Sequence, residues 1–350
     1  MEIRHHIIFL KSVFRIVMQS CLTLVTSHVA AQDFHLSQYD APAMLLNPSM
    51  TGFFYGYFRL HGHYRTQWAS IATKPFTTSQ ISYEKSIEPF GVGIQVMDNR
   101  AGAGNYNVFN FNISGAYDIA LDFLKHHHLC LGMQTGFIQK SIDLSKLNFN
   151  NQYTTNAGFN SSLSNGETFS NTSIYLYDVS VGTTYYYDSH EGRQSDKSEI
   201  KFILGFAVFH VNQPKESFLS SANVLPRHYL INGQYQMALN EQIQMIPKFL
   251  YMQQANDKEL DITLIFNYSL EKETNLIFGT TYRFQDAAVA HIGLKKGDFT
   301  YLISYDMNIS SLSSTTYGRG GLETSLTYLP HQAKKKRSCP KFANPGLLGY

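Results

Sequence analysis

The sequence predicts an all-β chain, an antiparallel transmembrane β-barrel of the outer-membrane type with about fourteen strands. Three kinds of observation predict it. Segments of roughly ten residues alternate apolar and polar side chains along most of the chain, and successive side chains of a strand point to opposite faces, so each segment has a greasy side and a wet side. Charged residues make up 15% of the chain, below the roughly 25% of a soluble domain, while aromatic residues reach 14%. The connections between segments are sorted into long and short, as the outer loops and periplasmic turns of such barrels are. Mean hydropathy is -0.21, which suits a barrel whose polar lumen residues offset its lipid-facing ones better than it suits helical spans.

Residues 106–119 show the alternation most clearly. Phe109, Phe111, Ile113, Tyr117 and Ile119 fall on one parity, and Asn110, Asn112, Ser114, Ala116 and Asp118 on the other. One such segment also fits a half-buried strand of a soluble sandwich; its repetition decides the class.

The N-terminus reads as a secretory signal peptide over residues 1–31. Arg4, Lys11 and Arg15 supply positive charge, residues 16–30 are mostly apolar, and Val29-Ala30-Ala31 offers the small residues of a cleavage site. The apolar run is too short and too interrupted for the roughly 20 residues of a membrane-spanning helix. Residues 32–54 follow as an ordered lead-in, broken by Pro42 and Pro48, and a candidate plug.

The barrel is expected over residues 55–329. In the first strand Phe58, Leu60 and Tyr64 share one face, and Arg59, His61, His63 and Arg65 share the other. Four cationic or titratable groups on one parity would be costly against lipid and are tolerable in a wet lumen, so these four are the candidate lumen-lining residues. Further strands are expected at 77–87, 90–98, 106–119, 128–140, 173–187, 199–211, 228–239, 243–254, 260–270, 275–284, 288–295, 298–307 and 320–329. Pro247 interrupts one of them and predicts a bulge or a strand end. The long connections expected to face outward include 66–76, 99–105, 141–172, 212–227 and 308–319, and the inner turns are short except for 188–198. A basic periplasmic tail, Lys334-Lys335-Lys336-Arg337 onward, is expected over 330–350, either solvated or in contact with a periplasmic partner.

Chemistry-bearing constellations are weak. The net charge of +2 gives no reason to expect a nucleic-acid partner. Of the three cysteines, Cys21 falls in the leader, and Cys130 and Cys339 form neither a disulfide framework nor a metal site. Adjacent His126, His127 and His128 splay to opposite faces of an extended segment. No G-x-S-x-G, Walker or dinucleotide-binding pattern occurs, so no enzyme, cofactor or metal is expected. Long connections in compact folds are commonly functional, which directs attention to the outward loops. Candidate partner-binding residues there are Asn99 and Arg100, Asp143 and Lys146, Asn212, Gln213 and Pro214, and Leu225, Pro226 and Arg227.

The ordered series HLSQYDAPAMLLNPSMTG, Tyr64-Arg65-Thr66-Gln67-Trp68, Asp98-Asn99-Arg100-Ala101-Gly102, SIDLSKLNF, VFHVNQP, LPRHY, YRFQDA, SYDMN and CPKF resembles the PorP/SprF family of outer-membrane proteins, associated with type IX secretion and gliding in Bacteroidota. The resemblance covers essentially the whole chain after the leader. It departs at Lys341, where arginine is usual, and in a drawn-out 141–172 loop. It implies a non-enzymatic barrel in the outer-membrane lipid whose partners are type IX secretion components and secreted proteins with C-terminal sorting domains. The expected mechanism is partner binding by the outward loops, with the lumen occluded by the lead-in or by inward side chains. The rival expectations are a channel for small or hydrophobic molecules, with Arg59, His61, His63 and Arg65 along its path, and an outer-membrane hydrolase.

Overall fold

The computed structural model describes residues 33–330 apart from 55, 70–73, 103, 155–157, 165, 167–170, 189–200, 219–222, 272 and 311–312. The leader and the basic tail lie outside the described residues, as does nearly all of the 188–198 turn. The strands are β1 (Phe58–Gln67), β2 (Phe76–Ile87), β3 (Phe90–Ala101), β4 (Tyr106–Ala120), β5 (His127–Ser141), a two-residue pair β6 (Tyr153–Thr154) and β7 (Gly158–Phe159), β8 (Ser173–Asp188) and β9 (Lys201–Phe209). They continue as β10 (His228–Ala238), β11 (Ile243–Gln254), β12 (Asp257–Glu271), β13 (Thr274–Arg283), β14 (Ala287–Lys296), β15 (Phe299–Asn308) and β16 (Arg319–Tyr328). All but β6 and β7 join one closed antiparallel barrel of fourteen strands, each paired with its neighbours along the barrel. The seam is β1 against β16, in register from Leu60↔Tyr328 to Gln67↔Gly321.

Alternation decides which side chains meet the interior. On β4, Asn112 and Ser114 are buried while Ile113 between them is 52% exposed on the outside. Ile81, Ile94, Tyr117 and Ile292 are exposed in the same way, whereas Gln80, Gln95 and Thr281 are buried within. An apolar outer band with a polar interior is what a hydrocarbon solvent selects in a closed sheet, because lipid offers no hydrogen-bond partner.

The structure corrects several details. Pro247 causes neither a bulge nor a strand end: β11 keeps one register with β12 through Ile246↔Ile265, Pro247↔Leu264 and Lys248↔Thr263. On the other side, pairing with β10 stops after Gln234↔Lys248 and resumes at Met237↔Met245 without a shift. The missing N–H of proline is therefore absorbed as a local gap in one ladder. β3 runs past residue 98 to Ala101, because Thr78↔Asn99 and Thr77↔Arg100 continue its ladder with β2. Asn99 and Arg100 are thus strand residues at the rim rather than loop residues. β12 likewise begins at Asp257, so Asp257, Lys258 and Glu259 extend the strand beyond its apolar stretch. Long connections gather at one end of the barrel around β15–β16, β1–β2, β5–β8 and β9–β10, but at that same end β11–β12 and β13–β14 are joined by only 255–256 and 284–286.

The lead-in is not wholly without helix, since it holds a turn of α-helix at Ala43–Leu46 and a 3-10 turn at Pro48–Met50. It touches inward-facing residues of strands on every side of the barrel. Ser37 reaches Glu323 on β16, Tyr39 reaches Thr263 on β12, Asn47 reaches Thr184 on β8, Thr51 reaches Ser114 on β4, and Gly52 reaches Glu84 on β2. A segment with those partners runs through the interior. It descends from the end that carries the long loops toward the opposite end, where β1 begins.

Candidate functional site

Two surfaces of the lead-in meet two kinds of wall. Its apolar side chains Tyr39, Ala43, Leu46, Met50 and Phe53 join Cys130, Tyr186, Ile203, Phe209, Leu230 and Leu250 in one buried cluster. Fully burying a side chain such as Met50 or Phe53 contributes about 1.5–3 kcal/mol, and both are 0% exposed. Phe53 packs on Tyr186 with ring centroids 4.6 Å apart.

The polar side of the lead-in docks on buried charge. The Ser37 and Gln38 backbone N–H groups donate to the two Glu323 carboxylate oxygens at 2.7 and 2.9 Å. Arg65 donates to Glu323, to Asp306 at 3.0 Å and to Ser37 Oγ at 2.9 Å. Arg283 donates to the same Ser37 Oγ at 2.9 Å and lies 3.2 Å from Glu259. Lower in the lumen Lys248 pairs with Asp40 at 2.5 Å. At the far end the Glu84 carboxylate takes Arg59 Nε at 2.9 Å and Gly52 N at 3.0 Å, and the Arg59 guanidinium lies over the Phe54 ring at 5.0 Å. Buried charges persist only when paired and hydrogen-bonded, and here the lead-in supplies part of that satisfaction.

Between these two zones the lead-in crosses a floor of strand glycines. Asn47 Oδ1 accepts from Ser49 N at 3.0 Å and Ser49 Oγ at 2.7 Å, which caps the turn that Pro48 opens. Its Nδ2 donates to the Thr183 and Phe206 carbonyls at 3.1 and 3.3 Å. A Cβ on Gly132 would lie 2.2 Å from Ser49 N, and one on Gly182 would lie 1.9 Å from Asn47 Oδ1. Only glycine allows so close an approach.

The four inward residues of β1 are all buried. His61 Nδ1 lies 2.8 Å from Thr327 Oγ1, and His63 Nε2 lies 3.4 Å from Glu323. Glu323 brings His63 and Arg65 together, while Arg59 belongs to the separate Glu84 pair at the other end. Sequence alternation puts Arg283 on the polar face of its strand but does not single out its partners, nor Glu84, Asp306 and Glu323, although each falls on an inward parity. It also missed Ser37, Gln38 and Asn47, which have no periodic signal.

The loop candidates fall into separate groups. Asn99 Nδ2 donates to Thr78 Oγ1 at 2.8 Å, and Arg100 Nε donates to Asp98 at 2.8 Å. Asp143 accepts from Ser145 Oγ at 2.6 Å and pairs with Lys146 at 2.8 Å. Lys146, and then Ser145, hold the Asp143 carboxyl below its ordinary range. A depressed carboxyl contributes stability above its unfolded pKa that is lost as pH falls through the folded one, so acid releases this turn only below the usual carboxylate range.

Within the 210–227 connection, residues 214–216 pair with 223–225 as the stem of a small hairpin. Leu225 N donates to the Pro214 carbonyl and Glu216 N to the Asn223 carbonyl, both at 2.9 Å, across a Lys215↔Val224 bridge. His210 and Gln213 turn the chain with φ of 56° and 43°. Asn212 ties the hairpin to the Tyr177 carbonyl at 2.7 Å, Arg227 to the Val211 carbonyl at 3.2 Å, and the Pro226 carbonyl accepts from Gln254 at 3.4 Å. Leu225 packs with Ile138 and Leu176, and Lys140 pairs with Glu216 at 2.7 Å. Because Ile138, Lys140 and Leu176 are buried residues on the inward parity of β5 and β8, the hairpin bends inward over the mouth.

Residues 28–328 match the family model described as "Type IX secretion system membrane protein PorP/SprF". The comparison with curated proteins returned no match. Among solved structures the chain is similar to the Ralstonia pickettii toluene transporter TbuX, at 9% identity over 84% of this chain and 94% of that one, with a TM-score of 0.47. It is also similar to the P. putida toluene transporter TodX, at 8% identity over 84% and 95% with a TM-score of 0.47. A third is the CymD monoaromatic hydrocarbon channel, at 10% identity over 83% and 93% with a TM-score of 0.47.

Proposed function

As the chain belongs to the PorP/SprF family of type IX secretion system membrane proteins, we propose that it is a non-enzymatic outer-membrane tether, binding secreted cargo or translocon subunits through its loop-bearing end. The observation that carries this reading is the path of the lead-in. Residues 36–54 are buried throughout, apart from the partly covered Leu45, and bond to inward residues on all sides of the barrel. An interior filled in this way leaves the rim, and the paired segments 214–216 and 223–225 above all, as the surface on which a partner can act. These segments are held by their own hydrogen bonds and by Leu225, so they meet a partner with little ordering entropy to lose.

The reading is tested by a tagged pull-down of the full-length protein from gently solubilised outer membrane. Co-purification of type IX components, or of secreted proteins bearing C-terminal sorting domains, is expected. Lys140→Ala with Glu216→Ala, which removes the ion pair that ties the hairpin to β5, is expected to reduce that recovery severalfold while the barrel still shows heat-modifiable migration. A barrel recovered alone would overturn the tether reading.

A further inference from the structure

A cavity of about 430 Å³ lies at the rim where β2, β3 and β4 end, lined by Lys74, Thr77, Arg100, Gly102, Asn105 and Asn107 among others. Thr77 pairs with Arg100 and Arg100 with Asn107 across the sheet. These three residues share the parity of Ile81, Val96 and Ile113, which are 67%, 38% and 52% exposed on the outer wall. The opposite parity, Thr78, is 4% exposed and belongs to the interior. The cavity therefore opens on the membrane side of the barrel, directly above its apolar band and at the end that carries the long loops. In outer-membrane barrels that end meets the outer leaflet.

Its charge is cationic. Lys74 Nζ bonds to the neutral Asn105 amide at 2.8 Å, and the Arg100 side chain is 68% exposed. Asp98 beside it takes Arg100 Nε at 2.8 Å and Asn107 Nδ2 at 2.7 Å. Among the described residues no other group bonds to the two terminal nitrogens of Arg100. An arginine fork, a lysine point charge and amide and hydroxyl donors together form a set that recognises phosphate oxygens. We propose that this cavity holds a phosphate group of an anionic outer-leaflet lipid, with the acyl chains lying on the apolar wall of β2, β3 and β4 below it. A soluble partner's carboxylate would satisfy the same donors, but it would leave that apolar wall unused, so the lipid is the source the placement favours. The inference is independent of what the loops bind.

The test is native mass spectrometry of the full-length protein in detergent, offered bisphosphorylated lipid A, the same lipid with its phosphates removed, and a short peptide ending in a free carboxylate. Wild type is expected to retain the phosphorylated lipid, with about a thirtyfold loss in Lys74→Ala/Arg100→Ala. Lys74→Arg/Arg100→Lys, which keeps the charge, is expected to retain most of the binding, and both variants should keep heat-modifiable migration because the residues sit on the rim. Equal retention of the dephosphorylated lipid, or no loss in the double alanine variant, would overturn the proposal. So would a carboxylate peptide that binds more tightly than the lipid and loses binding in the same variant.

Discussion

Arg65→Met is expected to lower the unfolding free energy of the barrel by about 3–5 kcal/mol, because it removes one partner from a buried ionic cluster and leaves Glu323 without its arginine, while Asp306 keeps Arg283 at 3.4 Å. The Arg65, Glu323 and Asp306 side chains are 1%, 0% and 2% exposed. Without the guanidinium, Glu323 keeps the two lead-in N–H groups and His63 at 3.4 Å but loses its strongest neutraliser. The measurement is the urea midpoint of the folded, heat-modifiable species in lipid or detergent. Combining Arg65→Met with Glu323→Gln should recover part of the loss, since the orphaned charge is then gone. A midpoint unchanged by Arg65→Met would show that the cluster contributes nothing to stability.

Gly182→Leu is expected to drive the lead-in out of the lumen while leaving the barrel closed. The new Cβ alone would fall 1.9 Å from Asn47 Oδ1 and 3.1 Å from the Pro48 ring. Strand β8 cannot move away, because it is paired along its length with β5 and over its later half with β9. The lead-in holds the Asn47 turn with a few hydrogen bonds, so it yields first. Limited proteolysis should then cleave within residues 33–54 in the variant and spare them in wild type. Gly62→Ala is the control, as no atom lies within 4 Å of its added Cβ. Protection of the lead-in in Gly182→Leu would place Asn47 away from β8.

How much of this was legible in the sequence follows from which interactions leave a local trace. Where a strand sets a polar inner face against lipid, the parity of Asn112 against Ile113, or of Arg59, His61, His63 and Arg65 against Leu60 and Tyr64, could be read directly; β9 gives no such contrast, because Ile203 and Phe209 face inward as Phe202 and Phe206 face outward. Strand ends were harder. Asn99, Arg100 and Glu259 are polar on both faces because the rim stands above the hydrocarbon, and their strand character comes from ladder partners far away in sequence. Pro247 argued for a bulge, yet the ladder to β12 carries it through.

The site itself was mostly hidden. The lead-in has no period, and its partners lie up to 287 residues away, as Ser325 does from Gln38. A glycine inside a strand marks no more than room for a close approach, and nothing near Gly132 or Gly182 in sequence records the chain that crosses them. The 212–227 connection could be singled out by its length and prolines, but the inward position of its paired segments depends on Lys140 meeting Glu216 and on Leu225 meeting Ile138, pairings that no spacing encodes.

With the lead-in in the lumen, the proposed tether acts at its rim and conducts nothing. Planar-bilayer conductance of the purified full-length protein, with Gly182→Leu measured alongside, is the test. No stepwise conductance is expected from wild type, and distinct open events are expected from the variant. Sustained, solute-selective conductance from wild type would contradict the tether reading, and would make Arg59, His61, His63 and Arg65 the lining of a working channel.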